Sequence, residues 1–314
     1  MIPQFVYVLS GIGENYYAEM LQLSVYSLRR FHPDASVLMV SDEKTVETLI
    51  QRNSPLLKTV TPIPVKVPEE YDEVHRSRFL KTQLRQIVIG NFLFLDVDTL
   101  VCSSLDEIIN LEADIAMVRD IHGCENAQLK ADRISICTRA GFFGNDEEPY
   151  FNSGVMWVKD TPAAHGFFSE WHRWWIYSWK RNVPQDQPAL CQTNRKLGHV
   201  ITEIAGKWNC MTAIPEGLYH ILPDAGLIHY FNSRFCVRQR FLNRIRNKGR
   251  LDGFAKAVAR HPQTIGVFIF MMGDMNLLRE VFSHNPFQQD ELSPFRWLQF
   301  AFMFFISKII YWFD

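Results

Sequence analysis

Two carboxylates separated by a single residue follow a short apolar run in this sequence. The run is Phe92–Leu95 and the carboxylates are Asp96 and Asp98, in the stretch NFLFLDVDTL. Consecutive large apolar residues bounded by Gly90-Asn91 predict a strand covered on both faces, as in a parallel sheet. Ligands of open α/β sheets bind outside the carboxyl ends of strands, where Asp96 would lie. Nearby carboxylates repel unless a cation lies between them, so the pair predicts a metal site; the alternative is a solvated Asp-x-Asp turn.

The composition is that of a globular protein with a sizeable core. The chain has 314 residues, of which 47% are hydrophobic and 21% are charged. Its formal net charge of -1 excludes a polycation, and no nucleic-acid partner is expected. The six cysteines show no C-x-x-C spacing, which favours free thiols in a reducing cytosol. The N-terminus lacks the pattern of a signal peptide, so a cytoplasmic location is predicted.

Alternating strand and helix patterns predict the elements that position the Asp pair. Strands are expected at 5–10, 36–41 and 92–95, and helices at 16–31, 43–52 and 76–89. The proline-rich segment 55–71 is expected to be an extended connection rather than a central strand. The aromatic residues of 167–179 recur at helical spacing and predict a helix packed on the core. This order favours a three-layer α/β fold with a parallel sheet.

An apolar strand that runs into D-x-D-T-L has two chemical explanations. In haloacid-dehalogenase-type phosphatases, the first Asp is a nucleophile, the second is an acid/base, and magnesium lies between them. In nucleotide-sugar glycosyltransferases, the pair binds a divalent ion that bridges the donor diphosphate. The stretch 268–278 resembles the distal acidic motif of the phosphatases, but Leu278 stands where a further carboxylate is required. The strand motif alone leaves both explanations open.

Four further motifs follow the Asp pair. They are Phe151-Asn152-Ser153-Gly154-Val155, predicted as a turn before an apolar run; Asp186-Gln187, predicted to open a helix; Trp208-Asn209; and Leu227–Phe231, predicted as a strand that carries His229. Their order resembles the family 8 glycosyltransferases, which include glycogenin and bacterial lipopolysaccharide galactosyl- and glucosyltransferases. The resemblance covers roughly residues 5–235. It implies a GT-A fold, an α/β nucleotide-sugar-binding fold with a mostly parallel central sheet flanked by helices.

The resemblance implies a metal site and a catalytic sugar face. The expected metal ligands are Asp96, Asp98 and His229. Two carboxylates and one imidazole suit Mn²⁺, with Mg²⁺ as the alternative ion. The expected catalytic residues are Asn152, Asp186 and Gln187. Each has a structural alternative: a core histidine for His229, a turn residue for Asn152, and a helix N-cap for Asp186.

The residues expected to bind the nucleotide sugar are Leu9, Ser10, Tyr17, Arg78, Lys81, Val97 and Arg234. Tyr17 matches the position that stacks on the nucleobase, and Arg78 and Lys81 match the basic position that reaches the donor. The chain departs from the family pattern after His229, where FNSRFCVR replaces Gly-x-x-Lys-Pro-Trp. Arg234 is therefore the candidate for the cation on the diphosphate.

The implied function is metal-dependent transfer of a hexose, glucose or galactose, from a UDP-sugar with retention of configuration. The acceptor is expected to be a saccharide, a glycolipid or a protein. Two alternatives remain open at this point. One is a haloacid-dehalogenase-like phosphatase built on Asp96 and Asp98, and the other is a sugar-nucleotide-binding protein without turnover.

The C-terminal part, 236–314, is expected to form a basic, aromatic-rich helical region after a catalytic domain of residues 1–235. Seven basic and no acidic residues lie between 225 and 251, and Lys308 is the only charged residue from 297 to 313. An apolar segment with a basic patch is the two-signal arrangement of stable peripheral attachment to anionic lipid. We therefore expect attachment to the cytoplasmic membrane face; the alternative is a helix packed on the core or on a second subunit.

Overall fold

A computed structural model of the chain describes residues 4–11, 16–123, 127–142, 144, 148–211 and 225–229. The strands are β1 Gln4–Leu9, β2 Ser36–Asp42, β3 Thr61–Val65, β4 Phe92–Leu95, β5 Thr99–Val101, β6 Ile115–Arg119, β7 Phe151–Val158, β8 Thr202–Ile204, β9 Cys210–Met211 and β10 Leu227–His229. The α-helices are α1 Tyr16–Phe31, α2 Glu43–Gln51, α3 Glu73–Thr82, α4 Leu84–Ile87, α5 Asp106–Ile109, α6 Ala127–Arg139, α7 Pro162–Trp179 and α8 Gln187–Lys196. Short 3₁₀ helices cover Pro55–Lys58, Asp120–Gly123 and Gly206–Asn209.

The central sheet has seven strands in the order β3-β2-β1-β4-β7-β6-β8. All neighbouring strands pair in parallel except β7, which is antiparallel to both β4 and β6. A small second sheet has the order β5-β10-β9. The predicted α/β fold with a mostly parallel sheet is confirmed. Because β1 and β4 are parallel neighbours, their carboxyl ends open on the same edge of the sheet.

Helices cover both faces of the central sheet, and each face has its own hydrophobic core. Phe92 and Phe94 of β4 pack with the aromatic residues of α7, whereas Leu93 and Leu95 pack with α1 and α2. Burial on both faces explains why β4 is a continuous apolar run without alternation. The core-facing side chains of α7 include the fully buried Trp171 and Trp175, as the helical spacing of 167–179 predicts.

Two predictions for the segments before β4 differ from the structure. Within the predicted connection 55–71, residues 61–65 form the edge strand β3. Pro62 and Pro64 have no amide hydrogen to donate, and an edge strand tolerates them because one of its sides has no partner strand. The helix predicted at 76–89 begins at Glu73, because the Asp72 carboxylate accepts from the His75 amide (2.9 Å) and caps it. It also ends at Thr82, and the separate helix α4 follows.

None of the helices in the described ranges is long and apolar enough to cross a membrane. The cysteines at 102, 137, 191 and 210 are buried free thiols. The segment 230–314 lies outside the described residues. Arg234 and the predicted C-terminal helical region belong to that segment, so their placement stays a sequence prediction.

Candidate active site

A cavity of about 350 Å³ opens at the edge of the sheet where β1 and β4 end. Every predicted site residue that the structure describes lines it: Leu9, Ser10, Tyr17, Arg78, Lys81, Asp96, Val97, Asp98, Asn152, Asp186, Gln187 and His229. These residues come from segments far apart in the sequence. The fold therefore brings the predicted metal, donor and catalytic groups to one place, as the rule for open α/β sheets predicts.

Strand pairing brings the three predicted metal ligands together. Asp96 directly follows β4, and Asp98 precedes β5. Strand β5 pairs with β10 so that Thr99 faces His229. As a result, His229 Nε2 lies 3.2 Å from Asp98 Oδ1 and 3.8 Å from Asp96 Oδ2. One ligand atom from each residue lies within 4.8 Å of the others, which is close enough for all three to reach one ion.

A chain of side-chain amides fixes the orientation of the His229 ring. Asn209 donates through Nδ2 to Asn152 Oδ1 (3.0 Å), so it presents its own Oδ1 to His229 Nδ1 (3.0 Å). Asn152 in turn donates to Asp120 Oδ1 (2.9 Å), and Arg133 holds the other Asp120 oxygen (2.9 Å). Because Asn209 Oδ1 can only accept, Nδ1 is the donor, and Nε2 is the ring nitrogen that faces the two carboxylates. An imidazole nitrogen and two carboxylates that converge in this way can together coordinate a cation.

Gly154 makes room for this histidine. A Cβ at residue 154 would lie 2.6 Å from His229 Nδ1 and 2.9 Å from Asn152 Oδ1, closer than side chains allow. The glycine of the Asn-Ser-Gly motif is therefore needed for His229 of the metal cluster to pack closely against this segment. The prediction that the motif forms a turn is wrong: it lies within β7, where the register with β6 shifts between Met117 and Val118. The shift marks an irregularity of the ladder, and β7 extends through it from Phe151 to Val158.

The Trp-Asn motif packs against the strand that carries His229. A Cβ at Gly226 would lie 2.7 Å from Trp208 Cε3, so the indole packs directly on the backbone that enters β10. The Gly226 amide also donates to the Lys207 carbonyl (2.8 Å). Asn209 follows in the same 3₁₀ helix and holds the imidazole. The Asn-Ser-Gly, Trp-Asn and Ile-His motifs thus form one interlocked unit.

Charged side chains border the cluster on the side away from the Asn209 and Asn152 amides, and they face the cavity. Lys81 Nζ contacts both oxygens of Asp96, at 3.1 and 3.2 Å. Arg78 Nε lies 3.0 Å from Asp186 Oδ1, and Ser153 donates to Asp186 Oδ2 (2.7 Å). The Lys81 ammonium also lies 4.9 Å from the centre of the Phe94 ring. The cations of α3 therefore link the metal cluster to the start of α8.

Asp186 is held ionised in this network. Burial raises the pKa of its carboxyl, but the charges of Arg78 and Lys81 and the bond from Ser153 outweigh burial and leave that pKa below its usual value. Asp186 occupies the N-cap position of α8, yet its side chain makes no bond to the helix. Its carboxylate points to the cations instead. Gln187, the first residue of α8, donates to the Phe151 carbonyl (3.3 Å).

Sequence reasoning missed part of the cavity wall and the support behind His229. The missed wall residues include Glu73, Val74, Ser77 and Ser153. On α3, positions 73, 77 and 81 recur at helical spacing, so the placement of Lys81 could have indicated the first two. The support of His229 by Asn209, and of Asn152 by Asp120, had no local signal, because tertiary packing creates these contacts.

The fold and the cluster define a candidate metal site at the edge of an α/β sheet, where the ligands of such folds bind. Residues 15–234 match Glycosyl transferase family 8, and the chain belongs to this family. It is a glycosyltransferase with a GT-A fold. This membership favours the glycosyltransferase over the phosphatase alternative. In direct sequence comparison, no curated protein matches the chain.

Several solved structures are similar to this chain. The galactosyltransferase LgtC, solved in complex with donor and acceptor sugar analogues, is 18% identical with a TM-score of 0.49, over 74% of this chain and 88% of that chain. Mouse xyloside xylosyltransferase 1 is 16% identical with a TM-score of 0.49, over 73% and 97%. GlyE of Streptococcus pneumoniae is 16% identical with a TM-score of 0.50, over 74% of this chain and 56% of that longer chain. At such identity the similarity to GlyE shows a shared fold.

Proposed function

We propose that the protein transfers a hexose, glucose or galactose, from a UDP-sugar to an acceptor with the help of Mn²⁺. The observation that carries the proposal is that a candidate metal cluster and a charged network lie in one cavity. The cluster is Asp96–Asp98–His229, and the network beside it consists of cations and an ionised Asp186. Carboxylates and a neutral imidazole are suitable ligands for Mn²⁺. Retention of configuration is carried over from the family resemblance.

Each group has a task in this reaction. Asp96, Asp98 and His229 would hold a divalent ion, which would supply Lewis-acid stabilisation to the departing diphosphate. Arg78 adds positive charge on the same side of the cavity, where it can stabilise the negative charge of the departing diphosphate. The ionised Asp186 lies where it can stabilise the oxocarbenium-like sugar, and Gln187 is placed to bind a hydroxyl.

Turnover of a UDP-sugar panel in Mn²⁺ and in EDTA tests this proposal. We expect hydrolysis or transfer with Mn²⁺ only, and a loss of at least about 10²-fold in Asp96→Asn, Asp98→Asn and His229→Ala. Asp34→Asn is the matched control, because Asp34 is an exposed carboxylate outside the cavity. Full activity of the His229 variant in limiting Mn²⁺ would exclude it as a ligand.

Two other outcomes would replace the proposal. If UDP raises the unfolding temperature in Mn²⁺ without any turnover, the protein is a binding protein, because a ligand of the native state stabilises it by mass action. If small phosphate esters are hydrolysed and Asp96→Asn abolishes that activity, the phosphatase alternative is right. Asp186→Asn separates the sugar site from the nucleotide site: we expect a lower kcat with nearly unchanged UDP affinity.

We also propose that the region 236–314 attaches the enzyme to an anionic membrane surface and so selects a lipid-linked acceptor. The support is the sequence alone: basic residues without acidic ones between 225 and 251, and a nearly uncharged aromatic segment from 297 to 313. Deletion of 294–314 should release the protein from anionic vesicles and leave UDP-sugar hydrolysis intact. If the full-length protein ignores vesicles and the shortened chain unfolds, the segment is part of the core.

A further inference from the structure

Lys81 is an unusual cation for its position. Its side chain is only 4% exposed, whereas that of Arg78 is 34% exposed. It approaches Asp96, a metal ligand, and not the more deeply placed Asp186, from which its ammonium is 3.9 Å away. Attraction to the donor alone does not explain why a buried lysine contacts a carboxylate that a metal ion would need.

The ammonium and the metal site share an atom. Asp96 Oδ2 lies 3.2 Å from Lys81 Nζ and 3.8 Å from His229 Nε2, so the oxygen that faces the other ligands is also one that the ammonium contacts. A divalent cation bound there would contact the same Asp96 oxygen as the largely buried Lys81 ammonium. Two positive charges on one carboxylate repel each other, so the ammonium and the ion compete for Asp96.

The charge balance of the cavity shows what would relieve this competition. The cavity is lined by the carboxylates of Glu73, Asp96, Asp98 and Asp186 and by the cations Arg78 and Lys81, so its formal charge is -2 before any contribution from His229. A divalent ion alone would bring this charge to zero and leave the ammonium beside a second cation, whereas a diphosphate would add negative oxygens that the ammonium can contact. Lysine carries three donors on a flexible stem, so its ammonium can turn from Asp96 to a phosphate oxygen.

We propose that Lys81 is an internal competitor of the divalent ion that makes tight metal binding depend on the donor diphosphate. In the absence of metal and donor, it neutralises Asp96; when the diphosphate enters, it exchanges the carboxylate for phosphate and releases Asp96 to the ion. Metal and donor then strengthen each other's binding by the same factor, as linkage requires. This inference rests on the proposed function, since it needs the metal site and a diphosphate donor.

Calorimetric titration of Mn²⁺, with and without UDP, tests the inference in the wild type, Lys81→Met and Lys81→Arg. We expect Lys81→Met to bind Mn²⁺ alone at least about tenfold more tightly than the wild type, because the competing charge is gone. UDP should tighten Mn²⁺ binding by about tenfold or more in the wild type and by much less in Lys81→Met. Lys81→Arg keeps the charge and should keep the coupling. Arg78→Met is the matched control: it removes a charge that contacts Asp186, so its gain in Mn²⁺ affinity should be smaller.

The wild type alone provides a second test, should Lys81→Met fail to fold by circular dichroism. Uridine lacks the diphosphate, so it should leave Mn²⁺ affinity unchanged where UDP raises it; equal effects of UDP and uridine would overturn the inference. So would a folded Lys81→Met variant that binds Mn²⁺ alone no more tightly than the wild type. Absence of UDP binding under every metal condition would instead overturn the proposed function itself.

Discussion

The two sides of the metal cluster are built from different interactions. On the cavity side, charged groups meet: Lys81 contacts Asp96, and Arg78 contacts Asp186. On the other side, the neutral amides of Asn209 and Asn152 hold His229. The separations are near 3.0 Å on both sides, but the consequences differ. An ion pair can exchange a partner for a charged substrate, whereas a chain of amides fixes a ring without adding charge.

The two sides also differ in the secondary-structure elements that supply their side chains. The cations come from α3, a helix that borders the cavity. The amides come from β7 and from the 3₁₀ helix Gly206–Asn209, which pack against the strand of His229. Changes on the amide side should therefore damage the metal site whether or not donor is present. Changes on the charged side should alter how the metal site responds to donor.

The largest effect on the amide side is expected from Gly154→Ala. The added methyl group would meet the His229 ring and Asn152 Oδ1 at distances that no packing permits, so the ring must move away from Asp96 and Asp98. We expect Mn²⁺ affinity to fall by about 10²-fold, the upper range for a displaced ligand, with UDP present or absent. Calorimetric titration of Mn²⁺ measures this loss.

Gly166→Ala is the matched control for that substitution. A Cβ at residue 166, in α7, meets no heavy atom within 4 Å. Alanine is the better helix former, so stability should be unchanged or should rise by up to about 1 kcal/mol, with Mn²⁺ binding intact. A Gly154→Ala variant that binds Mn²⁺ like the wild type would show that the amide side is not rigid.

A smaller effect is expected from Asn209→Leu, which removes the acceptor of the His229 Nδ1 proton but leaves the ring its space. Loss of such a support should lower Mn²⁺ affinity by about 10- to 100-fold. Asn209→Asp keeps an acceptor oxygen and should retain affinity within a few-fold, although it loses the bond to Asn152. Equal losses in the two variants would mean that packing, and not the hydrogen bond, orients the ring.

The Asp pair was predictable from the sequence itself, whereas the contacts on both sides of it were not. Asp96 and Asp98 end a local apolar run. Arg78 and Lys81 were expected from the family resemblance as contacts of the donor, and their ion pairs with carboxylates of the chain had no local signal. His229 was predicted from motif order and a strand pattern. The Trp-Asn motif alone gives Asn209 no role, because its contact with His229 exists only once β10 is in place.

The errors of local reading have physical causes as well. The Asn-Ser-Gly motif has the residues of a turn, but tertiary pairing extends β7 through it, and the space for His229 explains its glycine. No central strand is predicted in the proline-rich segment 55–71, because proline interrupts the hydrogen bonds between strands. The edge of the sheet tolerates the prolines, and a strand forms there. In both cases a neighbour distant in sequence decides the local structure.

The smallest expected effect concerns acid stability on the charged side. The pKa of Asp186 is held below its usual value, so the unfolded chain takes up this proton first as the pH falls. The contribution of the ionised group is therefore complete above about pH 4 and is lost as the pH falls through the folded-state pKa. Asp186→Asn should lower the free energy of unfolding at neutral pH by about 1 kcal/mol, a usual size for one substitution. Below pH 4 its stability should decline less steeply than that of the wild type. Urea unfolding at a series of pH values measures both curves, with Asp34→Asn as the exposed control. Parallel curves for Asp186→Asn and the wild type would mean that the cations of α3 do not stabilise the Asp186 carboxylate.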